Sequence, residues 1–189
     1  MTGSTSEGPQ GRRPIAAVVG AACVSAEGER VAEMLGKCII DAGFCLVTGG
    51  LGGVMRAASR GAHASARHTS GDVIGVLPSY DASTANAWVD IPICTGLDHA
   101  RNLVVVATGD VVFALGGKAG TLSEIALAWA LGKPVIAVGD EPGWASTLAG
   151  QPIDDRRDDR VHGPLDPEAA VALALDLLRQ PRSSPRGIR

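Results

Sequence analysis

The stretch Val111 to Leu131, VVFALGGKAGTLSEIALAWAL, constrains the fold more than any other part of the chain. A β-branched apolar run ends in a glycine-rich loop, which opens directly into a helix-forming segment. Gly116, Gly117 and Gly120 let the backbone turn tightly and approach a ligand closely. The free N–H groups and positive dipole end of the helix that follows favour an anion there. The loop lacks the Gly-Lys-Ser/Thr ending of a Walker A loop, and it is not the G-x-G-x-x-G fingerprint of dinucleotide sites.

The same order of parts repeats along the chain. Period and punctuation predict strands at Ile15 to Val19, Cys45 to Thr48, Val73 to Leu77, Val89 to Ile93, Val111 to Leu115 and Val135 to Val138. Between them, helices are predicted at Glu27 to Ala42, Val54 to Ser65, Asp98 to Thr108 and Thr121 to Leu131, the last closed by Lys133-Pro134. Asp166-Pro167-Glu168 reads as N-cap, first helical proline and first-turn acid of a final helix reaching Arg179. Glu141 to Pro164, which contains the charged run Asp154 to Arg160, reads as a solvated loop.

Apolar strands alternating with helices predict an α/β, Rossmann-like fold: a mostly parallel sheet with helices on both faces and right-handed crossovers. Ligands of such sheets bind beyond the carboxyl ends of the strands, where the strand order reverses. Three glycine-bearing turns fall at strand ends and are expected to converge on one crevice. They are Gly20 after the first strand, Gly49, Gly50, Gly52 and Gly53 after the second, and Gly116 to Gly120 after the fifth.

Composition bounds the rest. A chain of 189 residues, 46% hydrophobic with 25 glycines, fits one domain at 14–179, between a flexible arm at 1–13 and a flexible tail at 180–189. Lys plus Arg is 17 against 20 for Asp plus Glu, so no general attraction to nucleic acid or to an anionic membrane is expected and any anion site must be local. No apolar run approaches the roughly 20 residues of a membrane span. Cys23, Cys38, Cys45 and Cys94 lie far apart, and the histidines do not complete zinc-ligand spacings with them, so the sequence marks no metal site. Reduced thiols in the cytoplasm are the expectation, with Cys23 a buried, inert one and Trp129 a core residue.

Four side chains could carry chemistry. Thr121 and Glu124 form T-x-x-E at the mouth of a helix, which predicts a capping box in which Glu124 reaches back to the N–H of Thr121. With ligand bound, the Thr121 hydroxyl and the loop N–H groups would instead hold phosphate. Glu124 would then stand in the cleft to take a proton, orient water or stabilise a cation. Arg101 near the start of its helix, and Lys118 inside the loop, are the candidate positive charges.

Val47-Thr48-Gly49-Gly50 with Gly52-Gly53-Val54-Met55, the pair Arg101-Asn102, and Gly116-Gly117-Lys118-Ala119-Gly120-Thr121 with Glu124 together carry a family resemblance. The chain resembles, over about Ile15 to Val138, the molybdenum cofactor carrier protein-like branch of the superfamily that contains the LONELY GUY phosphoribohydrolases, often labelled lysine decarboxylases. The resemblance implies a Rossmann-like fold, a homodimer, and a nucleotide or phosphorylated ligand in the cleft. Arg101 and Glu124 match the arginine and glutamate of the phosphoribohydrolase site, and Thr121 matches its phosphate-binding threonine. Leu115-Gly116, Lys118 and Asn102 depart from that enzyme pattern, and Arg101-Asn102 is more like the carrier branch.

The reading is therefore a protein that binds a phosphorylated ligand and requires no cofactor of its own, with the molybdenum cofactor as a possible cargo. The binding residues are expected to be Gly20, Gly49, Gly50, Gly52, Gly53, Arg101, Asn102 and the run Gly116 to Thr121. The alternative is a nucleoside 5′-monophosphate phosphoribohydrolase in which Arg101 and Glu124 are catalytic. There, Glu124 would stabilise an oxocarbenium-like ribose as the base departs.

Overall fold

The central strands are apolar on both faces, which only a sheet covered on both sides can satisfy. The computed structural model describes residues 12–180. It contains seven parallel strands: β1 (Ile15–Gly20), β2 (Cys45–Thr48), β3 (Val73–Leu77), β4 (Ile91–Cys94), β5 (Val111–Leu115), β6 (Val135–Val138) and β7 (His162–Leu165). Six helices accompany them: α1 (Ala26–Asp41), α2 (Val54–His63), α3 (Arg101–Thr108), α4 (Ala119–Ala130), α5 (Trp144–Leu148) and α6 (Pro167–Arg179). Side chains alternate across the sheet, as a period of two requires. Ala16 and Val18 of β1 join the core under α1, α2 and α6, whereas Ala17 and Val19 join the core under α3, α4 and α5. The α/β, Rossmann-like expectation is met.

The strand order is β4-β3-β2-β1-β5-β6-β7. The chain winds outward from β1 to β4, then returns beside β1 with β5 and winds the other way. The reversal lies between β1 and β5, which pair from Ala16–Val111 to Gly20–Leu115. Helices leaving these neighbours turn to opposite faces, so a crevice opens beyond their carboxyl ends. The final helix begins as its sequence predicts, the Asp166 carboxylate accepting a hydrogen bond from the N–H of Ala169 at 2.8 Å with Pro167 in the first turn.

The segment read as a solvated loop is instead structured. It holds α5 and the strand β7, whose Gly163 and Pro164 hid it from any propensity argument; an edge position tolerates both. The charged run within it is docked. Arg157 lies over the Trp129 ring at 4.4 Å and donates to the carbonyls of Trp129 and Lys133, and Asp154 accepts from Trp129 Nε1 at 2.8 Å. Trp129 is a core residue with 1% of its surface exposed. Two smaller shifts accompany this. The strand expected from Val89 begins at Ile91, and Asp98–Ala100 is a 3-10 turn ahead of α3.

Arg12 and Arg13, placed by sequence in a flexible arm, are anchored at the amino end of the sheet. Arg12 makes a two-pronged pair with Asp110, both contacts at 2.7 Å, and Asp110 also accepts from the N–H of Ile15. Arg13 reaches Asp72 and the carbonyls of Gly43 and Phe44. The remainder of the predicted arm, and the predicted tail beyond Gln180, lie outside the described residues.

Helices α1 and α2 are pressed together at two glycines. A β-carbon at Gly36 would overlap the carbonyl of Ala58, and one at Gly61 would overlap the carbonyl of Glu33. Helix propensity alone favours Ala over Gly by about 1 kcal/mol. Backbone overlap opposes it, since overpacking costs about 1–3 kcal/mol. Gly61→Ala should therefore lower the unfolding free energy by up to about 2 kcal/mol in urea titration, whereas a gain in stability would mean that the helices stand farther apart.

Candidate functional site

The crevice at the β1–β5 reversal is a cleft of about 370 Å³. The end of β1 contributes Gly20, Ala21, Ala22 and Cys23, and the end of β2 contributes Gly49 and Leu51. Arg101 and Asn102 enter from the start of α3, with His99 just before them. Lys118, Gly120, Thr121 and Glu124 enter from the start of α4. Its titratable lining is thus His99, Arg101, Lys118, Cys23 and one carboxylate.

Each element reaches the cleft for a local reason. Gly20 has no room for a side chain, because a β-carbon there would stand 2.6 Å from the carbonyl oxygen of Leu115 and 2.8 Å from Val54. This lets the end of β1 pass between β5 and α2. Asp98 takes a left-handed φ of 48°, which Asp tolerates better than most residues, and turns the chain into α3 so that Arg101 points inward. Helix α4 starts at Ala119 with Lys118 as N-cap, makes no side-chain cap hydrogen bond, and carries no acid in its first turn. The N–H of Leu122 is used by the Lys118 carbonyl, so the N–H groups of the first three residues have no partner within the helix.

The predicted capping box does not form. The helix begins two residues before Thr121, since the left-handed Gly116 and Gly117, at φ 57° and 91°, complete the turn early. The Thr121 side chain lies against Gly117, and Glu124 faces Arg101.

Arg101 and Glu124 are the buried charges of the cleft, 8% and 7% exposed. Arg101 Nη1 stands 3.7 Å from Glu124 Oε1, an ion pair too long to be a hydrogen bond. The guanidinium lies flat on Gly49, where a β-carbon would come within 2.5 Å of both terminal nitrogens. Its Nε is buried with no hydrogen-bond partner. Burial raises the Glu124 carboxyl to about 7, with Arg101 pulling it only part of the way back, and burial lowers the Arg101 guanidinium against the opposing pull of Glu124.

The remaining glycines of the sequence reading serve the loops rather than line the cleft. Gly50, at φ 71°, packs on Leu77 and Gly75 of β3, and its carbonyl accepts from both the N–H and the side chain of Asn86. Gly53 sits against the carbonyls of Ala21 and Ala22, and a β-carbon at Gly52 would stand 3.7 Å from the Ala22 carbonyl oxygen. Gly116 packs on Glu141 and Pro142, and the exposed Ala119 opens α4. Gly120 differs from all of these: a β-carbon there would meet nothing within 4 Å.

Sequence reasoning missed His99, Leu51 and Met55 as lining residues, and it misplaced Cys23, which is exposed in the cleft rather than buried. The position of Cys23, three residues past β1 at the reversal point, was the available signal. A second hollow of about 460 Å³ lies beside the cleft, beneath β5, β6 and β7. Glu27, Asp140, Glu141 and Asp166 line it, with no basic side chain among the described residues, so its charge is opposite to that of Arg101 and Lys118 in the first cleft.

Known proteins share this architecture and much of its sequence. A molybdenum cofactor binding protein from the phototrophic bacterium Rippkaea orientalis superposes with a TM-score of 0.77 at 36% identity, covering 88% of this chain and 98% of that one. The molybdenum cofactor carrier protein of Chlamydomonas reinhardtii superposes with a TM-score of 0.71 at 32% identity, covering 89% and 100%. An uncharacterised protein of Archaeoglobus fulgidus is 39% identical over 121 residues, 64% of this chain and 77% of the relative. The model of the SLOG cluster4 family matches residues 13–170, and the chain belongs to that family.

Proposed function

We propose that this chain binds a small phosphorylated cofactor of the molybdenum-cofactor class in the β1–β5 cleft and holds it without turnover. The observation that carries this reading is the Arg101 guanidinium. It is buried on Gly49 with its Nε unpartnered and its nearest carboxylate beyond hydrogen-bond reach. A buried cation with spare donors is costly until an acceptor arrives. A phosphate or pyrophosphate oxygen supplies that acceptor and meets the free N–H groups of α4 at the same place. In this reading Lys118, Asn102 and the Thr121 hydroxyl complete the anion seat. Gly20 and Gly49 admit the ligand's close approach, and Gly50, Gly52, Gly53, Gly116, Gly117 and Ala119 shape the loops around it. Gly120 supports it too: a helix-weakening residue with open space around it and no steric need leaves room where a ligand would lie.

The same reading includes cytoplasmic placement and homodimer formation. The four free thiols fit a reducing compartment, and the exposed Ile91, Ile93, Leu97 and Leu103 offer apolar surface for self-association. Among the described residues no helix is long and apolar enough to cross a membrane.

One observation favours a second reading, the phosphoribohydrolase. A Glu124 carboxyl near 7 is poised to exchange a proton at neutral pH. Among the described residues Glu124 is however the one carboxylate lining the cleft, so the second carboxylate of a glycosidase-type pair is lacking. Incubating the protein with nucleoside monophosphates and resolving free base by chromatography separates the two. Intact, retained nucleotide or pterin supports the carrier, and base release that disappears in Glu124→Ala supports the hydrolase.

The sign of the pH dependence follows from the raised carboxyl. Between the ordinary carboxyl range and 7 the native state binds more protons than the unfolded chain, so the Glu124 contribution to stability is present at low pH and lost as pH rises through 7. Ionised Glu124 also repels an anion on Arg101. Sulfate, a dianion on both sides of neutrality, should bind about tenfold more weakly well above pH 7 than well below it in the native protein. In Glu124→Gln, the part of this pH dependence that Glu124 causes should disappear, leaving a markedly smaller change. An affinity independent of pH in both proteins would place the anion away from Glu124.

Gly120→Leu separates fold from ligand. Its side chain enters open space, so thermal stability should hold or rise by about 1 kcal/mol, while sulfate and cofactor affinity should fall at least tenfold. Unchanged affinity would remove α4 from the site.

A further inference from the structure

Two histidines and an aspartate meet at the end of the sheet opposite the cleft. His63 ends α2, His68 lies in the loop that follows, and Asp90 immediately precedes β4. His63 Nε2 stands 3.2 Å from Asp90 Oδ1, and His68 Nε2 stands 3.0 Å from Asp90 Oδ2. The donor atoms of all three lie within 4.8 Å of one another. Their side chains are mostly buried, at 24%, 16% and 9% exposure. The two imidazoles lie close, centroids 3.9 Å apart and planes tilted by 31°, and the Trp88 ring meets His63 edge-to-face with centroids 5.4 Å apart.

We propose that His63, His68 and Asp90 bind a divalent transition-metal ion of the zinc class. The ligands of a tetrahedral ion at about 2.1 Å stand about 3.4 Å apart; each imidazole nitrogen is 3.0–3.2 Å from one oxygen of Asp90, and small side-chain turns within the 4.8 Å spread would bring all three onto one ion. Two imidazole nitrogens and one carboxylate oxygen suit zinc, cobalt or nickel rather than calcium or magnesium, which prefer oxygen. The carboxylate is already oriented: Asp90 Oδ2 accepts from the N–H groups of Gly71 and Val73 at 3.2 and 3.0 Å, which leaves Oδ1 turned toward His63. A hydrogen-bonded staple without an ion does not account for the trio, because His63 Nε2 is buried and makes no hydrogen bond despite its nearness to Asp90. An ion between the three satisfies that nitrogen. Three protein ligands leave a fourth position for water or a small ligand. Bound there, the ion ties the end of α2 to the start of the edge strand β4.

Calorimetric titration of the chelator-treated full-length protein with Zn²⁺ should give one ion per chain, together with a rise in melting temperature. His63→Gln and His68→Gln should each weaken binding at least tenfold and abolish that rise, while His99→Gln retains both. With Co²⁺ as probe, visible absorption should lack the near-ultraviolet band of a thiolate ligand. Failure of the folded wild-type protein to bind either ion at micromolar concentration, binding that survives both histidine substitutions, or a thiolate band from Cys23 would each overturn the proposal.

Discussion

A guanidinium held away from water without enough partners is the constraint around which the functional end of this molecule is arranged. Arg101 lies on the bare backbone of Gly49 and faces Glu124 at 3.7 Å, with its Nε unanswered. Neither charge settles the other. Burial pushes the glutamate toward neutrality at about 7, which leaves the arginine still less well paired near neutral pH. A fold optimised for stability alone would replace such a pair by apolar side chains of similar volume. In the proposed binding reading, a ligand supplies the missing acceptors.

The topology explains why the pair sits where it does. The sheet reverses its winding between β1 and β5, and the helices that follow neighbouring strands leave toward opposite faces. The space opened there is bounded by strand ends that must be narrow and by a helix start that must be bare. Gly20 provides the first, wedged between Leu115 and Val54. The uncapped, acid-free start of α4 provides the second. The acidic hollow beside it gives the carboxyl end of the sheet a division of charge: Arg101 and Lys118 line one opening, and Glu27, Asp140, Glu141 and Asp166 line its neighbour.

Much of this was legible in the sequence because it is local. Strand and helix periods along Ile15 to Val138, and the strand–glycine–helix order at Val111 to Leu131, are written in consecutive residues, and the sheet follows from them. What stayed hidden depends on contacts between distant segments. The charged run at Asp154 to Arg160 looks like solvent-facing loop until Trp129 offers Arg157 an aromatic face and a carbonyl. The Thr121 and Glu124 spacing looks like a cap until the left-handed Gly116 and Gly117 start the helix early. Glycine placement is also set by distant contacts: Gly50 packs on Leu77 and Gly75 of β3, which no local pattern shows. The His63, His68 and Asp90 cluster carries no motif, because Asp90 arrives from a separate loop 22 residues beyond His68.

Arg101 as the seat of an anion is the central claim, and it can be tested at one atom. Nitrogen-15 NMR of the arginine Nε–H groups reads this directly, with the Arg101 resonance assigned by its absence in Arg101→Lys. Titration with inorganic phosphate, and then with a phosphorylated pterin or nucleotide, should shift that resonance and slow its exchange with water, because the unpartnered Nε gains an acceptor. A resonance that stays in place while the ligand demonstrably binds would contradict the account and assign the anion to another part of the surface.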